Sequence, residues 1–113
     1  MNINELTIGQ AKELAALFGA GGSVQHEHPF NVGKNYFLRT VTHHHTGTLV
    51  RVTEHELVLK NAAWIADDGR LTDSLKSGEF NEVEMFPVGS EVIIGRGSLI
   101  DAVEITTIPT SQK

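Results

Sequence analysis

The chain has 113 residues, a formal net charge of −5, 40% hydrophobic and 20% charged residues, the composition of one globular domain over 1–113 rather than a disordered segment. It has no cysteine, which excludes disulfide scaffolds and thiol chemistry and suits a reducing cytoplasm. The acidic balance disfavours indiscriminate grip on RNA or DNA phosphates, and no apolar run approaches the ~20 residues that span a bilayer.

The first residues, Met1-Asn-Ile-Asn-Glu-Leu, lack a basic region followed by an apolar stretch, so no signal peptide is expected. Residues 7–18 are predicted to form a helix. Thr7 and Gln10 have capping-box spacing, and Ile8, Ala11, Leu14, Ala15 and Phe18 recur on one helical face before Gly19 ends it. From Asn35 the period becomes that of strands. Tyr36–His43, then Thr48–Thr53 after a His45-Thr46-Gly47 turn, then Glu56–Lys60, read as an antiparallel meander. Residues 67–78 carry Leu71 and Leu75 four apart with Asp68 or Thr72 as cap, which predicts a short helix. Glu79–Phe86 reads as another strand, and the polar tail from Thr106 to Lys113 reads as frayed.

Val92–Ile94 and Leu99–Ile105 are two β-branched runs separated by Gly95-Arg96-Gly97-Ser98, the composition of a tight hairpin with positive φ at its glycines and Arg96 at its tip. One helix followed by about five short strands must bury one sheet face, and closing the sheet removes exposed edges. The expected fold is therefore α+β: an N-terminal helix on a small, strongly bent, five-stranded antiparallel barrel over about 32–105, with a helical insert at about 67–78. Incomplete closure would leave edges for pairing between copies, hence a homo-oligomer.

Two segments resemble those of Sm-like proteins. Thr46-Gly-Thr-Leu-Val-Arg-Val-Thr-Glu-His-Glu-Leu-Val-Leu-Lys-Asn-Ala62 is similar to their first segment. Ile94-Gly-Arg-Gly-Ser-Leu-Ile-Asp-Ala-Val103 is similar to the second, whose core is an Arg-Gly with an aliphatic residue three after the arginine. The resemblance implies an Sm-like, SH3-like barrel and makes Arg96 and Gly97 candidate ligand contacts. RNA-binding members hold a base with an acidic residue and an asparagine in one loop. The corresponding Thr53-Glu54-His55-Glu56 has no asparagine, so that role does not carry over. Val32-Gly-Lys-Asn-Tyr-Phe-Leu-Arg-Thr-Val-Thr-His43, Asn61-Ala-Ala-Trp-Ile-Ala-Asp67 and Asn81-Glu-Val-Glu84 further resemble an uncharacterised family of small phage and prophage proteins. That resemblance implies a phage origin and action in the host cytoplasm. Some small phage proteins sequester nucleotide-derived immune signals.

Among single residues, Arg39 shares a strand face with Phe37 and Val41 and is either half of a structural ion pair or a phosphate fork. Trp64, flanked by small residues, is either core or a platform for a base, and Tyr36 carries the same two readings. His26 with His28, and His43 with His45, sit two apart, the spacing at which strand residues share a face. They are either solvated or form ligand or metal contacts. No catalytic constellation is present: the serines lack a nucleophile-elbow context, and Gly19–Gly22 lacks the Lys-Ser/Thr of a phosphate loop. Joined to what the phage resemblance implies, these features give the reading of a non-enzymatic phage protein, without cofactor or metal, that binds and sequesters a small cyclic-nucleotide or cyclic ADP-ribose type signal. In it, Arg39 and Arg96 engage phosphates, Trp64 or Tyr36 stacks on a base, and His43 and His44 bond the ring or ribose. An Sm-like RNA-binding ring and a protein-interaction module are the alternatives.

Overall fold

The computed structural model describes residues 28–113. Six strands and one short helix follow in the order β1 (Asn35–Thr40), β2 (His44–Val52), β3 (Glu56–Asp67), α1 (Leu71–Ser77), β4 (Glu82–Met85), β5 (Val92–Gly95) and β6 (Leu99–Ile105), with a 3-10 turn at Arg96–Ser98 between the last two. All pairings are antiparallel. The open sheet runs β4-β3-β2-β1-β6, and β5 adds to β3 off this path. The helix expected at 7–18 lies outside the described residues.

Six strands form where five were expected because β3 is long enough to serve three neighbours. It has 12 residues. Its first half pairs with β5 (Leu57 with Ile94, Leu59 with Val92) and its second half with β4 (Ala63 with Met85, Ile65 with Val83). The halves diverge at a bulge, where Asn61 and Ala62 stand opposite the single residue Gly47 between the pairs Thr46–Ala63 and Thr48–Lys60. Asn61 takes φ 52°, a left-handed conformation that asparagine tolerates better than most side chains. Gly47 is required by proximity: a Cβ there would lie 3.1 Å from Leu59 Cβ and 3.3 Å from that of Ala62.

The two terminal runs do not form a hairpin. β5 pairs with β3, and β6 pairs with β1 from Asn35–Ile105 to Thr40–Leu99. The Gly95–Ser98 segment is a helical turn, closed by Ser98 Oγ donating to the Gly95 carbonyl at 2.7 Å. It redirects the chain across the sheet instead of reversing it, and Gly95 has φ −66° and not a positive value. The meander turn also moves: β1 ends at Thr40, whose N–H and Oγ1 both donate to the His43 carbonyl, at 2.7 and 2.9 Å. That closure puts the turn at 41–43 and places His44 through Gly47 inside β2.

β1 is buried on both faces. Tyr36 and Leu38 join Leu49, Leu57, Leu59, Ala62 and Ile94 in one core cluster. Phe37 joins Ala63, Ile65, Phe80, Val83 and Ile105 in another, on which Leu71 and Leu75 of α1 and Ile108 of the tail pack. The helix is shorter than 67–78 and starts at Leu71 without a side-chain cap. Asp68 is not its cap, because its carboxylate faces His44. Gly78 ends the helix at φ 76°. The tail is not frayed: Lys113 and Val83 exchange backbone hydrogen bonds at 2.9 and 3.0 Å along the outer edge of β4, and Pro109 is buried.

Phe80 stacks on Phe37 at 5.5 Å between centroids and is fully buried. Phe80→Ala is expected to cost about 3–5 kcal/mol in urea denaturation. Val88→Ala, at a fully exposed site, should change stability by less than about 0.5 kcal/mol.

Candidate functional site

The antiparallel register sorts the side chains into rows. Leu38 of β1, His45 of β2, Trp64 of β3 and Glu84 of β4 are directly paired in succession and share one face. Arg39, His44, Ile65 and Val83 form the next row, on the opposite face, with Asp101 of β6 beside Arg39. Consecutive histidines therefore serve different surroundings.

On the first face lies a cleft of about 350 Å³ walled by His43, His45, Trp64, Glu84, Met85, Phe86 and Pro87. The His43 ring meets the Trp64 indole edge-on at 5.7 Å. His45 stacks on Phe86 at 6.1 Å and stands 6.1 Å from His43. Phe86 is held there by its N–H, which donates to the Ala62 carbonyl at 3.0 Å. Trp64 is 38% exposed, so the indole is a wall of the cleft and not core. Its surroundings follow from β3: Ala63 and Ile65 point into the second cluster, and alternation leaves Trp64 on the other side. Gln112 of the tail accepts from the Met85 N–H and donates to Glu84 Oε2 at 2.7 Å, which fixes the carboxylate at the rim. Such a wall of flat rings with a few polar atoms, carried on strands, suits a planar ligand.

His45 is half-buried, and its imidazole is held below the ordinary value of 6.5 by desolvation first, then by repulsion from His43 and His44. Its Nδ1 is buried without a hydrogen-bond partner among the described residues.

On the opposite face, Arg39 and Asp101 form a two-pronged ion pair, with Arg39 Nε donating to Asp101 Oδ1 at 2.8 Å and its Nη2 to Oδ2. That hydrogen bond holds the Asp101 carboxyl below its usual range and raises the guanidinium. His44 Nδ1 lies 2.9 Å from both Asp68 oxygens, with its ring edge-on to Phe37 at 5.6 Å.

Of the residues singled out from the sequence, the fold brings together His43 and Trp64 on the first face and the directly paired Arg39 and His44 on the opposite one, which parts His44 from His43. Tyr36 is buried in the first cluster, with its hydroxyl accepting from the Asn31 N–H at 2.8 Å and 3.4 Å from Glu104 Oε2. Arg96 Nη1 donates to the carbonyls of Thr53 and Glu54 at 2.7 and 3.2 Å, and its guanidinium lies 5.6 Å over the Phe30 ring. It ties the β2–β3 turn to the segment before β1. Gly97 is exposed in the 3-10 turn, with open space around it. The sequence pattern puts His43 and His45 on one strand face, although His45 is not among the expected ligand residues. Glu84 reads from sequence as a solvated strand carboxylate or half of a Mg²⁺ pair with Glu82, and nothing places it or Phe86 beside Trp64. No local motif marks these two residues; only the β3–β4 register does. Among the described residues, no three metal-ligating side chains converge, and no helix is long and apolar enough to cross a membrane. The chain matches no family model, and no curated protein is detectably similar to it in sequence.

The His45 shift has a defined sign. With the folded-state value lowered, the unfolded chain binds the proton first as pH falls, so the stability of the neutral ring is fully present above 6.5 and is lost on acidification below it. Comparing urea midpoints at about pH 7.5 and about pH 5.5, His45→Phe should show a smaller acid loss than the parent, since it keeps the Phe86 stack and removes the titration.

Proposed function

We propose that the protein is a non-catalytic binding module that holds the planar ring of a small nucleotide-derived ligand in the cleft between Trp64, His43, His45 and Phe86. The observation that carries this reading is the exposure of the single tryptophan on a row with a half-buried histidine whose Nδ1 has no partner among the described residues, beside a concavity of about 350 Å³. An indole and a phenyl ring left at a cleft wall gain apolar contact from a stacked base, worth about 1–3 kcal/mol per base. Among the described residues, the cleft walls carry no arginine or lysine. Arg39 lies on the opposite face, so phosphate contact by it has to come from a neighbouring copy, and Arg96 either exchanges its carbonyl partners for the ligand or does the same.

The finer architecture belongs to the same reading. The sheet ends at β6 on one side and at β4 and β5, which share the edge of β3, on the other; β5 and β6 are consecutive in the chain and joined by only the 3-10 turn, and this suits a strongly bent Sm-like barrel. Ile93, Ile100 and Val103 on β5 and β6 are exposed apolar residues, consistent with a homo-oligomer. The resemblance to phage proteins supplies the biological sense: retention of a host signal, without turnover, in the host cytoplasm.

Trp64 is the sole tryptophan, so intrinsic fluorescence reports on the cleft directly. Titration with mononucleotides, cyclic nucleotides and cyclic ADP-ribose isomers should give saturable quenching by at least one member, lost or weakened about tenfold or more in His43→Ala. The bound ligand should be recovered chemically intact after heat release. A panel that leaves both fluorescence and calorimetric heat unchanged overturns the reading.

A further inference from the structure

Resting on the base-binding reading above, we infer that the cleft selects guanine-type bases over adenine-type ones, with Glu84 as the specificity-determining residue. The cleft places an obligate acceptor and a donor on either side of Trp64, Glu84 on β4 and His45 on β2. Glu84 follows Trp64 directly in the pairing of β3 with β4, so its backbone stands one strand spacing, ~4.8 Å, from that of the stacking residue, and its side chain shares the Trp64 face. Gln112 occupies Oε2 through one donated bond at 2.7 Å. A carboxylate has about four acceptor positions, so Oε1 and the rest of Oε2 are left to accept.

His45 is the donor. A proton on its buried Nδ1, which has no partner among the described residues, would be a stranded N–H, costlier to bury than a bare lone pair. The neutral ring therefore carries its proton on Nε2, the nitrogen left for cleft contact.

A flat ring that complements this wall presents two neighbouring N–H donors to the carboxylate and a carbonyl oxygen to the imidazole N–H. The N1–H, N2 amino and O6 edge of guanine meets both demands. Adenine offers a lone pair at N1 toward the carboxylate and an amino group toward the imidazole proton, so both contacts become repulsive. Sites built to hydrogen-bond one edge discriminate strongly, because the wrong ligand leaves buried polar groups unpaired. Trp64 and Phe86 grip any base, so they supply affinity while Glu84 supplies choice.

The test compares guanosine 5′-monophosphate with adenosine 5′-monophosphate by Trp64 fluorescence and calorimetry, in the parent chain and in Glu84→Gln. The parent should bind the guanine nucleotide on the order of tenfold or more tightly. Glu84→Gln should shrink that ratio toward unity with an unchanged circular dichroism spectrum, since the amide keeps the shape and can still accept from Gln112. Equal affinity for the two nucleotides in the parent, or a preference that survives Glu84→Gln, overturns the selectivity inference and leaves base binding standing. If neither nucleotide binds while a cyclic ligand does, the inference also falls and the base-binding reading stands. Silence from the whole panel removes both.

Discussion

The bend in β3 is the constraint on which the rest of the structure depends. A strand of 12 residues that stayed straight would keep a single partner along its outer edge. The Asn61–Ala62 bulge turns the second half of β3 away, so the first half accepts β5 and the second accepts β4. The left-handed backbone at Asn61 and the missing side chain at Gly47 allow that bulge to pack against β2. Once β3 is bent, Trp64 and Glu84 fall on the row of His45, and Phe86, tied to the Ala62 carbonyl, closes the cleft.

The same geometry divides the three histidines. His44 is drawn to the helix-bearing face by Asp68 and Phe37, whereas His43 and His45 turn toward Trp64 and Phe86. One surface therefore holds an internally compensated polar network of Arg39, Asp101, His44 and Asp68. The other carries aromatic and imidazole rings with unspent hydrogen-bonding capacity. Charge already satisfied within the chain is a poor magnet for a ligand, while exposed rings beside unpartnered polar atoms still have contact to gain.

The C-terminal tail is structural despite its polar composition. Lys113 extends the pairing of β4, Gln112 bridges Met85 and Glu84, and Ile108 packs on the second cluster. Covering the outer edge of β4 shields a short strand from pairing with other chains. It also immobilises the carboxylate at the cleft rim.

Much of the fold was legible in the amino-acid order because alternation is a local signal. The strand runs, the short helix around Leu71 and Leu75, and the two-apart relation of His43 and His45 all follow from side-chain period within a few residues. Partnership was not legible. Gly95-Arg96-Gly97-Ser98 has hairpin composition, yet the strands beside it find β3 and β1, where Ile94 joins the first core cluster and Ile105 the second. Arg96 looked like a free cation until the β2–β3 turn supplied two carbonyls. Local order thus determined the elements and the candidate chemistries, while long-range register decided which side chains meet, because hydrogen-bonded pairing between distant strands depends on surface that no short window contains.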